Sequence, residues 1–383
     1  MRQGSIDKPF FSLTLILVFV GFFIFVSASL GLLARGEGLF SAIALNQTIS
    51  LGLGLIACFI TSRIRFTLWN KYAFYIFLVS LFATLLVFMP FIGFEHAGAR
   101  RWLILGPLSF QPAELLKFGF VMYLCAWFAG MKQRIGTFKY GVMPLMILLG
   151  TCGIVLALQP DFGTFIIIGV AGFSIFIAAG ARWTHIVALA LAGIVGLSAL
   201  GFFVPYIQDR VLTFVDPSRD PLGAGYQIQQ SLIAIGSGQF FGRGFGQSIQ
   251  KFNFLPEPVG DSIFAVFAEE WGFLGSFLLF VLLVAFLSRG YRIANQAPTS
   301  FTRLVVVGII TMIVGQSFIN IGSMLGMFPL TGDPLVFVSQ GGSALIVALA
   351  EIGVILNISK FKSEPVIIEK PSQKIPVKSK KRS

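Results

Sequence analysis

Charged residues are scarce in this chain. They account for only 11% of its 383 residues, and hydrophobic residues account for 56%, whereas a soluble domain has about 25% charged residues. The shortage excludes a soluble enzyme, a nucleic-acid-binding protein and a disordered protein. The net charge of +12 therefore indicates basic loops beside an anionic membrane leaflet rather than a nucleic-acid partner.

Cysteine and histidine are also rare. The three cysteines lie in apolar runs without metal-ligand spacing, and they imply no disulfide framework. The two histidines, His96 and His185, exclude a multi-histidine metal site, and neither accompanies the elbow motif of a Ser-His-Asp hydrolase. Walker, dinucleotide-binding and zinc-ligand motifs are absent from the sequence, so no cofactor is predicted from a motif.

Long apolar runs are what the sequence has in abundance. A helix needs about 20 mostly apolar residues to cross the hydrocarbon core of a bilayer. Ten segments of roughly this length predict an all-α, polytopic membrane protein with ten transmembrane helices. They are residues 11–33, 40–62, 72–94, 112–130, 141–158, 163–180, 184–204, 262–287, 304–326 and 342–358.

The distribution of Lys and Arg predicts the orientation. Of the 28 Lys and Arg residues, most lie in the termini and in the loops on the same side, which positive residues mark as cytoplasmic. Residues 1–10 are then a cytoplasmic N-terminal segment, and residues 11–358 form the membrane domain. Residues 359–383 are rich in Lys, Ser and Pro, which predicts a basic, disordered cytoplasmic tail.

The connection at residues 205–260 is the longest in the chain and follows the seventh span on the outer side. Structureless loops longer than about 12–15 residues are uncommon and often functional. Apolar stretches such as Ser231–Ile235 predict short helices within it. Most acidic residues also fall in outer loops or spans, which fits either an outward-facing polar site or simple solvation of those loops.

The first polar cluster surrounds the start of the fourth span. Arg100 and Arg101 lie on the less positive side, where they could bind a phosphate or extend to the interface. The helix begins at Gln111–Pro112, because Pro is well tolerated in a first turn. Glu114 and Lys117 share one helix face. They could line a cavity or only hold two helices together.

Two further polar segments interrupt the apolar runs. Gln159-Pro160-Asp161 separates the fifth and sixth spans, and it reads either as a turn alone or as a source of polar groups. A Gly-rich loop, residues 329–343, leads back into the last span. Backbone amides of such a loop can bind phosphate oxygens, although a Gly-Gly-Ser run is a weak signal. Glu351, deeper in that span, needs a partner or a cavity.

The strongest signal is the acidic segment that leads into the eighth span. Asp261 lies where an Asp commonly caps a helix, a contact worth about 1 kcal/mol. A cap does not explain Glu269 and Glu270, which follow inside the apolar run. Residues 261 and 269 are nearly eclipsed on a helix, so with Glu257 they could face one wet cleft. Burial or like charges could raise the pKa of such a carboxylate and make it a general base.

These four segments, in this order across ten spans, resemble the SEDS family of bacterial peptidoglycan polymerases. The resemblance extends over residues 11–359, and the run Gly246–Lys251 looks more like the cell-division branch than the elongation branch. Two features depart from the usual pattern. Val259-Gly260 precede Asp261 where the family has His-Thr, and Gln340 replaces a Tyr.

The resemblance implies a ten-helix fold in the bacterial cytoplasmic membrane with a large outer loop between helices 7 and 8. It also implies polymerisation of lipid II into glycan strands, for septal wall synthesis in cell division, with a class B penicillin-binding transpeptidase and other division proteins as partners. The residues alone leave an enzyme and a transporter open. A lipid II flippase and a non-catalytic scaffold are therefore retained as alternatives.

On this interpretation, Asp261 is the catalytic carboxylate and accepts the proton of the attacking hydroxyl. Charge on the lipid diphosphate leaving group would be met by Arg101, Lys117 or Arg243, or by a divalent cation (Mg²⁺ or Mn²⁺) held by carboxylates. The predicted substrate-binding residues are Arg101, Gln111, Glu114, Lys117, Gln159, Asp161, Arg243, Glu257, Glu270, Ser339, Gly341, Gly342 and Ser343.

Overall fold

The computed structural model describes residues 2–89, 92–96, 99–105 and 108–362. Most of the predicted cytoplasmic tail lies outside the described residues. The described chain is nearly all helical. Its helices are α1 (Lys8–Ser29), α2 (Glu37–Thr61), α3 (Phe66–Leu85), α4 (Pro112–Gly130), α5 (Met143–Leu158), α6 (Phe162–Ala178), α7 (Trp183–Phe203), α8 (Pro205–Val215), α9 (Ala224–Ser237), α10 (Ile263–Gln296), α11 (Ser300–Met324) and α12 (Gly342–Ser359).

Nine helical segments in the described ranges are long and apolar enough to cross a membrane, and α6 is a shorter apolar helix. Each of the ten predicted segments overlaps one of these ten helices. The chain is therefore a multi-pass membrane protein. The nine long segments are Lys8–Leu33, Gly38–Thr61, Phe66–Phe88, Pro112–Gly130, Phe138–Leu158, Trp183–Phe203, Ile263–Gln296, Ser300–Met324 and Gly342–Ser359.

Helices α11 and α12 form the centre of the bundle. In their most apolar stretches, 78% of α11 and 83% of α12 residues are buried, against 6% for α7. Helix α12 lies very close to α2. A Cβ added at Gly353 would collide with Thr61 Oγ1 and the Cys58 carbonyl, so only glycine allows this approach. The Thr61 hydroxyl also donates to the Ala350 carbonyl at 2.7 Å. Most of the buried side chains therefore pack around α11 and α12, and α7 lies at the edge.

A small antiparallel sheet between α3 and α4 was not predicted. Strands β2 (Gly93–His96), β3 (Ala99–Leu105) and β4 (Leu108–Phe110) pair in chain order. The apolar run predicted as one span to residue 94 ends as a helix at Phe88. Strand β3 positions Arg101 at the turn between α5 and α6.

The long connection contains the helices α8 and α9, as the sequence predicted. The chain after α9 inserts into a break in α10, where Gly272 has φ 65° and ψ −162°. The break leaves backbone N–H and C=O groups of α10 without partners inside the helix. The inserted chain forms hydrogen bonds with these groups on both sides of the break. Arg243 N and Gly244 N donate to the Glu269 and Glu270 carbonyls, and Phe273 N and Leu274 N donate to the Gln239 and Phe240 carbonyls, at 2.9–3.1 Å.

The two ends of the membrane domain meet on one side of the molecule. Strand β1 (Arg2–Gln3) pairs with β5 (Phe361–Lys362). Asp7 caps α1 by accepting from Phe10 N at 3.0 Å, and it forms a two-bond ion pair with Arg289 of α10 at 2.8 and 2.7 Å. The termini therefore share a side, as an even number of spans requires.

Candidate active site

Asp261 lies directly before α10 on the face opposite the termini. The N-cap residue of α10 is Ser262, and no side chain forms a capping hydrogen bond with the first turn. The alternative of Asp261 as a helix cap is therefore wrong. Its half-buried carboxylate instead faces Gly332, since a Cβ built there would lie 3.6 Å from Asp261 Oδ2.

Helix α11 and the chain that follows it hold the backbone at Asp261 and just before it. Asn320 Nδ2 of α11 donates to the Asp261 carbonyl at 2.9 Å. The Ser339 hydroxyl donates to the Gly260 carbonyl at 2.8 Å, and Gln340 N donates to the Val259 carbonyl at 2.7 Å. The Gly-rich loop therefore fixes the position of Asp261, and it uses a hydroxyl and a backbone amide to do so.

Burial and nearby charges set the basicity of Asp261. Desolvation and then the like charge of Glu257 raise the pKa of this carboxyl, Arg210 and Arg101 lower it, and the net result is a pKa of about 6. A carboxylate with this pKa is mostly ionised at pH 7 yet more basic than an exposed Asp. The environment therefore suits a general base at neutral pH.

Arg101 is fixed to the turn between α5 and α6. Its Nε donates to the Gln159 carbonyl at 3.2 Å and its Nη2 donates to the Pro160 carbonyl. The Gln159 side chain is buried and donates to the Thr84 carbonyl of α3 at 2.8 Å. The turn thus brings the charge of Arg101 to the Asp261 site, whereas Gln159 links neighbouring helical segments.

Asp161 joins the starts of α4 and α6. Its carboxylate caps α6 by accepting from Thr164 N and from the Thr164 hydroxyl, at 3.4 and 3.1 Å. It also accepts from Gln111 Nε2 at 3.3 Å. Gly163 lies so close to Asp333 that a Cβ would collide with its carboxylate. Two predicted site residues, Gln111 and Asp161, are therefore brought together beside Asp333.

Glu114 and Lys117 form the ion pair that their spacing predicts. Lys117 Nζ lies 2.8 Å from Glu114 Oε2 and donates to Gln316 Oε1 at 2.7 Å. Both side chains are buried and, with Gln316, line a small cavity beside Glu351. One oxygen of Glu351 has no hydrogen-bond partner among the described atoms. The pair therefore belongs to an enclosed polar cluster inside the bundle.

Asp333 lies between that enclosed cluster and Asp261. Burial raises the pKa of this carboxyl above its ordinary value, as does the like charge of Asp161, and Lys117 opposes the shift. The charges of Glu114 and Asp261 also act on it. Asp333 is thus the electrostatic connection between the outer site and the interior, although the sequence pattern indicated no role for it.

A different cluster contains Arg243 and Glu270, which were predicted to bind substrate, and Glu269, which was predicted to share a cleft with Asp261. Glu269 accepts from the Ser248 hydroxyl at 2.6 Å and lies 3.4 Å from Arg243 Nε. Glu270 pairs with the fully buried Lys251 at 2.7 Å and accepts from the Ser27 hydroxyl of α1 at 2.5 Å. The expectation of one cleft shared with Asp261 is therefore wrong, because the inserted chain occupies these carboxylates.

The end of the Gly-rich loop packs against α2. Gly342 approaches Ser50 so closely that a Cβ would collide with its hydroxyl, and Gly341 is the N-cap residue of α12. The Ser343 hydroxyl has no partner among the described atoms. This part of the loop positions the start of α12 against α2. Within the described ranges, no three His, Cys, Asp or Glu side chains are grouped as a metal site.

Comparison with known proteins decides the family. A family model described as "Cell cycle protein", which unites FtsW, RodA and SpoVE, matches residues 8–364.

The chain belongs to the FtsW/RodA/SpoVE family.

Relatives and a solved structure agree with this assignment. The chain is 39% identical over 319 residues to the stage V sporulation protein E of Bacillus subtilis (strain 168), which covers 83% of this chain and 87% of the relative. It is 35% identical over 314 residues to the probable peptidoglycan glycosyltransferase FtsW of Geobacter sp. (strain M18), with 82% and 86% covered. The predicted SEDS membership is confirmed.

The fold is also that of a solved family member. A chain in the structure titled "Structural coordination of polymerization and crosslinking by a peptidoglycan synthase complex" matches with a TM-score of 0.76 and 30% identity. The match covers 93% of this chain and 98% of that chain.

Two departures from the family pattern have a local explanation. Val259 and Gln340 meet through backbone atoms, so the contact does not depend on which side chains stand there. Gly260 is held by its carbonyl in the same way. The position of Asp261 in this family member is therefore maintained without the usual neighbours.

Sequence reasoning missed Arg210, whose charge acts on Asp261 from the outer loop. Arg210 follows Tyr206 by four residues on α8, and its guanidinium lies 4.7 Å from the Tyr206 ring centroid. An aromatic residue and an arginine on one face of an amphipathic helix were the available signal. Asn320 and Gln316 were missed because single amides inside an apolar span give no pattern.

Proposed function

We propose that this chain is a peptidoglycan glycosyltransferase that polymerises lipid II at the outer face of the bacterial cytoplasmic membrane. The Geobacter relative, a probable peptidoglycan glycosyltransferase FtsW, supports the activity. The observation that carries the proposal within this chain is the half-buried Asp261, with a raised pKa, between two arginines at one end of a membrane bundle. Soluble substrates would not require such a site to be embedded in a bilayer.

The proposed reaction joins two membrane-bound sugars. The 4-hydroxyl oxygen of the acceptor GlcNAc attacks the anomeric carbon of the donor MurNAc, and Asp261 accepts the hydroxyl proton. The bond between that carbon and the diphosphate oxygen breaks, and the lipid diphosphate leaves with the electron pair. The energy comes from the diphosphate bond, so no nucleotide is needed. A well-placed base contributes about 10²–10⁴-fold to the rate.

Negative charge develops on the leaving diphosphate and needs cationic partners. Arg101 is the predicted partner that remains at the Asp261 site, whereas Arg243 is engaged by Glu269 and Lys117 by Glu114. The described residues offer no three-ligand metal group, so no step is assigned to the predicted divalent cation. Glu114, Lys117 and Asp333 are proposed to support the site electrostatically from within the bundle.

A transpeptidase is proposed as the partner. The solved complex that contains a similar chain is titled a peptidoglycan synthase complex that coordinates polymerization and crosslinking. A class B penicillin-binding transpeptidase would supply the crosslinking activity, and the FtsW relatives favour a role in septal wall synthesis. The outer helices α8 and α9 are amphipathic surfaces available to such a partner.

A polymerisation assay with purified lipid II tests the proposal. The full-length chain is assayed in detergent, alone and with its cognate transpeptidase, beside Asp261→Asn and the matched control Asp216→Asn. Asp216 is on the same connection but is exposed and pairs with Arg219. We expect polymer from the wild type and Asp216→Asn, and a loss of about 10²–10⁴-fold in Asp261→Asn.

Near-normal polymer from folded Asp261→Asn would overturn the base assignment. No polymer from the wild type with its bound partner would favour the transporter or the scaffold, and transbilayer movement of labelled lipid II would then separate these two.

A further inference from the structure

Arg210 is the second cation at the Asp261 site, and it arrives from the outer loop. It lies on α8, a helix of 11 residues that joins the end of α7 to the rest of the connection. Its Nη1 donates to the Leu330 carbonyl in the chain after α11. A guanidinium has five N–H donors. In the described part of the chain, the Leu330 carbonyl is the acceptor found for Arg210.

A gap separates Arg210 from the catalytic carboxylate. A Cβ built on Gly332 would lie 3.6 Å from Asp261 Oδ2 and 4.0 Å from Arg210 Nη2. The two side chains therefore both come near one point above Gly332. They form no ion pair within 4.0 Å, although the arginine lowers the pKa of the carboxyl. An open space thus lies between a base and a cation.

Aromatic contacts orient the guanidinium toward this space. It lies 4.7 Å from the ring centroid of Tyr206, and Tyr206 stacks on Phe162, with ring centroids 6.1 Å apart. Phe162 is the first residue of α6, directly after Asp161. Both ends of the Arg210 side chain are therefore fixed, by α8 and by the Leu330 carbonyl, and its Nη2 remains on the side of the gap.

We propose that Arg210 binds the diphosphate of the lipid-linked donor and stabilises it as it leaves. The proposal rests on the glycosyl transfer described above and adds a substrate contact to it. A planar guanidinium binds two phosphate oxygens at once. Asp261 would face the attacking hydroxyl across the gap. Arg101 already donates to two carbonyls, so Arg210 has more N–H donors left for the leaving group.

An alternative role for Arg210 is structural. In that case it would only attach α8 to the Leu330 carbonyl and moderate the charge of Asp261. The two roles predict different binding results for Arg210→Gln, which removes the charge. Loss of a structural attachment would weaken binding of a lipid diphosphate and of the matching alcohol alike, whereas loss of a substrate contact weakens binding of the diphosphate alone. Arg219→Gln is the matched control, since Arg219 lies on the same connection, is 58% exposed, and pairs with Asp216 at 3.5 Å.

The test measures binding and therefore does not depend on turnover. Geranylgeranyl diphosphate and geranylgeraniol, which lacks the diphosphate, are titrated into the purified full-length chain in detergent. We expect Arg210→Gln to bind the diphosphate about 10- to 100-fold more weakly than the wild type, which is the range for a lost charge-assisted contact. Its affinity for the alcohol should be unchanged. Arg219→Gln should bind both as the wild type does.

Arg210→Lys keeps a point charge without the planar fork, and we expect it to bind the diphosphate more tightly than Arg210→Gln but less tightly than the wild type. This variant carries the test if Arg210→Gln does not fold. Diphosphate affinity equal to the wild type in the folded variants would overturn the proposal, even if polymerisation were reduced. Failure of the wild type to polymerise lipid II would overturn the proposed function. The binding comparison would still decide whether Arg210 contacts a lipid diphosphate.

Discussion

The chemistry of the site depends at the residue scale on a carboxylate that is neither exposed nor paired. Asp261 is half-buried. The like charge of Glu257 raises its pKa, and the charges of Arg210 and Arg101 lower it. A fully paired Asp would be a weak base, and a fully exposed one would be solvated. The pKa of Asp261 that results from these opposing effects is the quantity that a pH profile of activity measures.

Replacing Glu257 should move the acidic limb of activity. The negative charge of Glu257 raises the pKa of Asp261, so Glu257→Gln should lower it. Because the base is active when deprotonated, the fall in kcat/KM on acidification, centred near pH 6 in the wild type, should shift to lower pH. The pH profile of lipid II polymerisation measures this, with Asp216→Asn as the control. A shift to higher pH would contradict the assignment.

Gly332 should be required for the space between Asp261 and Arg210. It has φ 77°, and an added Cβ would face both side chains. Gly332→Ala should therefore reduce polymerisation by at least about 10-fold, a cost of roughly 1.4 kcal/mol in the transition state. Gly326→Ala is the control, since its φ is 67° and its Cβ would face only Leu232. Equal losses in both variants would indicate backbone strain alone.

Single residues differ in how far the sequence predicts them. The pairing of Glu114 with Lys117 follows from local helical spacing, and the structure has it. Asp261 as the catalytic residue came from the family pattern and stays a prediction. Glu269 and Glu270 were misassigned because their partners, Ser248 and Lys251, come from a chain segment that helical periodicity does not place. Arg210 was missed for the same reason, since its partner Leu330 is 120 residues away.

At the scale of elements, the break in α10 is the feature that organises the outer side. Backbone groups that a continuous helix would pair internally are bonded to residues 239–244 instead. The buried pair of Lys251 with Glu270, and its contact with Ser27, hold the same chain to α1. The segment that ends at Asp261 is therefore attached to two membrane helices before it reaches the site.

Gly272 should be essential for this attachment. Its φ is 65°, and a Cβ would collide with Gly242 N and the Phe240 carbonyl. Gly272→Ala should destabilise the fold by about 1–3 kcal/mol, the range for a strained backbone position. Thermal unfolding in detergent measures the loss. Gly52→Ala on α2, where an added Cβ meets no atom within 4 Å, should be neutral or slightly stabilising. Equal melting temperatures would contradict the role of Gly272.

Hydropathy predicts helices well and their interruptions poorly. Ten apolar segments were located because each must cover the thickness of a bilayer. The sheet at β2–β4 was missed because its first residues continue the apolar run of α3. The break at Gly272 was missed because glycine inside an apolar run does not distinguish a kink from close packing; only the bonding partners of the freed backbone groups do.

At the scale of the whole molecule, the site combines residues carried by different helices. Asp261 comes from the chain attached to α1 and α10, and Arg210 comes from α8, which continues α7. Helix α7 is the least buried of the long helices, at 6%. Asp261 and Arg210 are thus carried by parts of the molecule with very different amounts of packing.

Helices α1 and α10 are joined near both membrane surfaces, by Ser27 with Glu270 at one end and by Asp7 with Arg289 at the other. Two braces at opposite ends of a helix pair resist both sliding and splaying, so this pair behaves as a fixed frame. Helix α7, at 6% buried, has far fewer packing contacts to lose than this pair in any motion that admits a bulky lipid-linked sugar. Asp261 is thus attached to the doubly braced helix pair, whereas Arg210 is carried by a lightly packed helix and is held at the site by the Leu330 carbonyl and the Tyr206 ring.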